Sequence, residues 1–97
     1  MKEDWAINVE VRSELVKRWI DVRKISISTV SGVVHLKGSV VFREDKDFSY
    51  REKPQIMKQL EEVIKRLPGV KAIKFRLANW VKVDGCWQML DSNYLGE

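Results

Sequence analysis

The feature that most constrains this fold is an alternating run over residues 32–40. Every second residue of the run is apolar or glycine: Gly32, Val34, Leu36, Gly38 and Val40. A period of two predicts a half-buried β-strand with one row of side chains facing a core. Gly38 lies in that row, where a glycine permits close packing or a bulge, or alternatively lets a ligand approach the backbone.

The residues before and after this run show the periods of further elements. Apolar residues recur every three or four positions over 4–22, which predicts a first helix. Its stripe consists of Ile7, Val11, Leu15, Trp19 and Val22. Alternation over 25–30 predicts a strand, Ser31-Gly32 a turn, and Val33 to about Phe42 a second strand.

A second helix is predicted to begin near Pro54 and to stop at Pro68-Gly69. Its apolar stripe consists of Ile56, Met57, Leu60, Val63, Ile64 and Leu67. A third strand comes next, with Ile73, Phe75 and Leu77 facing inward. Asp84-Gly85 then indicates a C-terminal hairpin.

This order predicts an α+β fold, a two-layer sandwich built helix-strand-strand-helix-strand. The hairpin makes the first two strands antiparallel, and the helical crossover favours a parallel third strand in a mixed sheet. Both helices are expected on one face of the sheet, with the other face open. We expect one domain over 1–78, with a charged insertion at 43–53, and an extension of hairpin and loose tail over 79–97.

The composition limits which kinds of functional site the chain can form. It has 97 residues, a formal net charge of +4 and one cysteine, so an internal disulfide is impossible. We find no cluster of residues typical of a catalytic centre, a metal site or a cofactor site, and we expect a protein without enzymatic activity or cofactor. The chain has no apolar leader, which predicts a cytoplasmic location; an envelope or periplasmic location is the alternative if a leader has been removed.

Three motifs together resemble the BON domain family, named for bacterial osmotically induced and nodulation proteins. They are the run Gly32 to Val40, the segment Pro68-Gly69-Val70 with Ile73 and Leu77, and the leading helix with Asp4, Val11 and Leu15. The resemblance covers roughly residues 4–77. It implies the fold predicted above and a non-enzymatic module, usually of the bacterial envelope, that binds phospholipid or helps to assemble larger proteins.

The outward rows of the second and third strands are the candidate anion site. If the strands pair as predicted, His35 and Lys37 share the open face with Lys74 and Arg76. Such a surface favours an anionic phospholipid partner, or else it is an ordinary solvated sheet face. Nucleic acid is a weaker alternative, because the face lacks the aromatic platform that common RNA-binding modules use.

Aromatic side chains are the candidate contacts for a protein partner. Trp80 and Trp87 in the extension either form an interface, including one between copies of the chain, or fold back over the sheet or a helix end. Phe48 and Tyr50 in the charged segment are either anchors for a partner or a local staple. Trp5 and Trp19 are expected to pack with the first helix.

Overall fold

The molecule is built on a three-stranded sheet with two helices on one of its faces. The structure is a computed structural model that describes residues 3–43, 48–49 and 51–90. The elements in chain order are α1 (Asp4–Lys17), a 3₁₀ turn (Val22–Lys24), β1 (Ile25–Val30), β2 (Val33–Gly38), α2 (Glu52–Arg66), β3 (Ala72–Leu77), β4 (Trp80–Val83) and β5 (Cys86–Met89). The predicted α+β order is therefore confirmed.

Strand β2 is the centre of the sheet. It pairs antiparallel with β1, where Leu36 lies opposite Ile27, and parallel with β3, where Leu36 lies opposite Phe75. The mixed sheet expected from the hairpin and the helical crossover is confirmed. Strands β4 and β5 form a separate two-stranded hairpin.

The core lies between the sheet and the two helices. Its fully buried side chains are Ile7, Val11, Leu15, Ile20, Val34, Leu36, Met57, Leu60 and Ile64. Apart from Ile20, which follows α1, they come from the inward row of β2 and from the helical stripes. A row of period two and stripes of period 3.6 each present one continuous apolar surface. The alternation in β2 and the stripe of α2 are confirmed.

Helix α1 ends earlier than the sequence predicts. The stripe extends to Val22, but the helix stops at Lys17 and Trp19 takes a left-handed conformation with φ of 65°. The amide of Trp19 donates to the carbonyl of Val16, and that of Ile20 donates to the carbonyl of Leu15. This pair of hydrogen bonds is a Schellman motif, which turns the chain so that Ile20 packs into the core and bridges to Phe42.

Strand β2 also ends earlier, at Gly38 instead of about Phe42. Gly38 has φ of 120°, and a Cβ placed there would lie 2.5 Å from the carbonyl oxygen of Lys24. The glycine therefore allows a close crossing of two backbones, so its role is structural. After Gly38, the Asn79 side chain accepts from the Val40 amide at 3.0 Å and donates to the Val40 carbonyl at 2.7 Å. These two hydrogen bonds take the place of those that a neighbouring strand would make to Val40.

Helix α2 begins at Glu52, two residues before Pro54. The Ser49 hydroxyl accepts from the Glu52 amide at 3.2 Å, and the Glu52 carboxylate accepts from the Ser49 amide at 3.0 Å. This reciprocal pair is a capping box, and it extends the helix into the charged segment 43–53. The rest of that segment, 44–47 and 50, lies outside the described residues.

The C-terminal hairpin packs into the same core as the first 78 residues. Its turn is Asp84-Gly85, as predicted, with φ of 51° and 79°. Both of its tryptophans belong to the core, and the Trp87 ring meets Phe75 of β3 edge-on at 4.7 Å. The hairpin therefore closes one side of the helix layer, whereas the predicted loose tail, 91–97, lies outside the described residues.

Candidate anion-binding face

The open face of the sheet is the candidate site. We use "open face" for the nine side chains of β1, β2 and β3 that point away from the helices: Ser26, Ser28, Val30, Val33, His35, Lys37, Ala72, Lys74 and Arg76. The register arranges them in three cross-strand rows. One row is apolar and two rows are polar and basic.

The two basic rows bring the four predicted residues together. Ser28, His35 and Lys74 form one row, and Ser26, Lys37 and Arg76 form the next. All are exposed except His35, which is half-buried. Among the described residues, Lys37, Lys74 and Arg76 have no hydrogen-bond or ion-pair partner, and none of the nine side chains is acidic.

The β1–β2 turn sets the register that produces these rows. Ser31 and Gly32 have φ of 49° and 83°, the conformation of a tight hairpin turn. The Asp4 carboxylate at the start of α1 accepts from the amides of Ser31 at 3.0 Å and Gly32 at 3.2 Å. Because a slip of one residue would exchange the two faces, this turn keeps the basic side chains off the core.

The aromatic residues predicted as partner contacts differ in how far they are exposed. Trp80 and Trp87 are only 3% and 6% exposed, so they take the folded-back alternative and leave almost no ring surface for a partner. Phe48 is half-buried, with its ring 5.5 Å from that of Phe42. Tyr50 lies outside the described residues. Trp5, expected to pack with α1, is instead 69% exposed.

A buried carboxylate that no motif in the sequence marks attaches the hairpin to α2. Glu61 accepts from Lys82 Nζ at 2.7 and 2.9 Å, from Trp87 Nε1 at 3.2 Å, and pairs with Lys65 at 3.2 Å. Burial raises the pKa of Glu61, but the hydrogen bonds from Lys82, Lys65 and Trp87 outweigh it and hold this pKa below its ordinary value. The carboxylate, the two ammonium groups and the indole N–H are all hydrogen-bonded or ion-paired to one another. The cluster therefore stabilises the hairpin and supplies no reactive centre.

A cleft of about 540 Å³ lies at the turn end of the sheet. Its walls include Trp5, Ser31, Gly69, Val70 and Lys71. Across the described part of the chain, His, Cys, Asp and Glu side chains form no cluster of three or more that would hold a metal ion. None of the described helices is long and apolar enough to cross a membrane.

Comparison with protein-family models, with curated proteins and with solved structures found no match to this chain. The element order and mixed sheet are nevertheless those that the BON resemblance implies.

Proposed function

We propose that this chain is a non-catalytic binding module, similar to a BON domain, that docks on anionic phospholipid surfaces through its open face. The observation that carries the proposal is the pairing of Lys37 with Arg76, and of His35 with Lys74, on neighbouring strands. No acidic side chain shares that face to neutralise them.

The basic rows have an electrostatic reason to bind an anion. Neighbouring strands are about 4.8 Å apart, and like charges directly opposite each other destabilise a sheet. A phosphate group placed over Lys37 and Arg76 relieves this repulsion. The hydroxyls of Ser26 and Ser28 lie in the same two rows, where they can donate to phosphate oxygens.

The apolar row favours a membrane over a nucleic acid. Val30, Val33 and Ala72 continue the open face beside the basic rows, and Val30 is 59% exposed. An apolar edge beside basic side chains suits the boundary between headgroups and acyl chains. Single-stranded nucleic acid, in contrast, is bound on aromatic rings, and the open face carries none.

Vesicle co-sedimentation tests this proposal. We expect the protein to bind phosphatidylcholine vesicles that contain phosphatidylglycerol, to leave pure phosphatidylcholine vesicles unbound, and to dissociate as salt is raised. Each basic residue near an anionic surface contributes about 1 kcal/mol. The double variant Lys74→Glu/Arg76→Glu should therefore bind at least about thirtyfold more weakly.

A matched variant separates the open face from net charge. Lys58→Glu/Arg66→Glu makes the same change in net charge on exposed positions of α2. This control should bind nearly as the unaltered chain does. Absence of binding at low salt, equal loss in both double variants, or tighter binding to single-stranded nucleic acid than to vesicles in a competition assay would each contradict the proposal.

A further inference from the structure

A cleft of about 390 Å³, which we call the edge cleft, lies between the outer edge of β3 and the C-terminal hairpin. Its two walls include Phe75, Arg76 and Leu77 of β3, and Trp80, Lys82 and Trp87 of the hairpin. Strands β3 and β4 belong to separate sheets, so no ladder of hydrogen bonds joins the two walls. The volume is within the range of about 300–1,000 Å³ that is usual for binding sites.

The β3 wall of the edge cleft presents backbone groups that the sheet does not use. The Ala78 amide donates to the Gly38 carbonyl of β2. Successive residues of a strand point their backbone groups to alternate sides, so those of Phe75 and Leu77 point to the outer edge. In the described part of the chain, neither residue makes a backbone hydrogen bond outside its own sheet. This edge can therefore accept a further strand.

The β4 wall presents backbone groups in the same way. The two-residue turn Asp84-Gly85 places Val83 opposite Cys86, and the first pair beside such a turn is hydrogen-bonded. By the same alternation, the backbone groups of Trp80 and Lys82 point away from β5. An extended segment in the edge cleft therefore has a strand edge on each side of it.

The charge around the edge cleft is positive. Between Val63 and Val83 the sequence has six basic residues and no acidic one. Lys74 and Arg76 stand on the open face along the β3 edge, and charges in such a place normally prevent pairing. They exclude β3 of a second copy, which would set the same two charges against each other, whereas a strand with acidic side chains is attracted.

The helix side of the edge cleft is closed by an aromatic contact. The ring of Phe75 meets that of Trp87 edge-on at 4.7 Å, and this contact joins the two walls. Side chains of an added strand that point to this side therefore have to be small. Those that point to the other side lie on the open face, beside Lys74 and Arg76.

We propose that the edge cleft binds an extended segment of a partner protein in which acidic residues alternate with small ones. The segment adds to β3 as a further strand, its backbone bonded to Phe75 and Leu77 and its carboxylates beside Lys74 and Arg76. In this mode of recognition the main chain supplies affinity and alternate side chains supply specificity. The inference does not depend on the proposed lipid function, which uses the same basic side chains but no backbone group.

Titration of the full chain with a blocked octapeptide of alternating glutamate and alanine, followed by ¹H–¹⁵N NMR, tests the proposal. We expect the amide resonances of Phe75 and Leu77 to shift and their hydrogen exchange to slow. The same peptide N-methylated at every backbone nitrogen keeps its charges but loses its backbone donors. It should bind at least about tenfold more weakly, because the hydrogen bonds to β3 are lost.

Two variants with the same change in net charge test the placement of the peptide. Arg76→Glu puts a negative charge beside the acidic side chains of the peptide and should weaken binding about tenfold. Arg66→Glu, at an exposed position of α2, should leave binding nearly unchanged. Unshifted amides at Phe75 and Leu77, equal binding of the methylated peptide, or equal losses from the two variants would each overturn the proposal.

Discussion

At the scale of single residues, Glu61 is the side chain that attaches the hairpin to α2. Its carboxylate receives Lys82 and Trp87 from the hairpin and Lys65 from its own helix. The side chain is buried, yet the two lysines keep part of their surface in water. Removal of this charge therefore weakens the attachment of the hairpin without leaving a fully buried ammonium group behind.

We predict that Glu61→Gln lowers the free energy of unfolding by about 1–2 kcal/mol, because hydrogen bonds to a charged acceptor become neutral ones. Thermal denaturation should show a midpoint about 5–15 °C lower. Glu62→Gln changes the same charge one position along, on an exposed side chain, and should have almost no effect. Equal effects from the two substitutions would contradict this role for Glu61.

The stabilisation by Glu61 also depends on pH. The pKa of Glu61 is held below its ordinary value of 4.5, so the unfolded chain takes up the proton first as pH falls. The stabilisation is complete above that ordinary value and is lost as pH falls through the lower pKa of the folded state. The difference in stability between the unaltered chain and Glu61→Gln should therefore shrink below about pH 4.5.

The sequence predicted the place of a residue only where that residue belongs to a repeating pattern of apolar and polar positions. Alternation alone placed His35 and Lys37 on the face that Lys74 and Arg76 share, and the register confirms it. Glu61 had no such signal, because Lys82 lies 21 positions away and Trp87 lies 26 positions away. Contacts between distant segments leave no local pattern in a single sequence.

At the scale of elements, the end of β2 depends on Gly38. We predict that Gly38→Ala costs at least about 1 kcal/mol more stability than Gly85→Ala. Both positions have a positive φ, but a Cβ at Gly38 meets the Lys24 carbonyl oxygen, whereas a Cβ at Gly85 has nothing within 4 Å. Chemical denaturation of the two variants measures this difference, and equal losses would contradict the prediction.

The sequence predicted the end of an element where proline or glycine marks it. It missed the end where a residue other than glycine takes a left-handed conformation. Pro68-Gly69 correctly ends α2. Trp19 continues the apolar stripe of α1, so nothing in its side chain signals the left-handed turn that it adopts. The burial of the next residue favours that conformation, because the turn lets Ile20 enter the core.

At the scale of the whole molecule, the C-terminal hairpin and the first 78 residues share one core and form one cooperative folding unit. We predict that a chain ending at Leu90 keeps a cooperative thermal transition, because the core and both hairpin tryptophans remain. A chain ending at Ala78 loses Trp80 and Trp87 from the core, a cost above about 5 kcal/mol, and should lose cooperative unfolding. A cooperative transition in the shorter chain, by circular dichroism, would contradict this assignment.

The central position of β2 also has a consequence for synthesis of the protein on the ribosome. Its second neighbour, β3, and the whole of α2 come after it in the chain. At about 5–20 residues per second, translation from Gly38 to Leu77 takes roughly 2–8 s. Throughout that interval the nascent chain offers the bare edge of its central strand, and the inward side chains Val34 and Leu36 are not yet covered by α2. Prompt synthesis of this stretch, or a chaperone bound to it, protects the unfinished sheet.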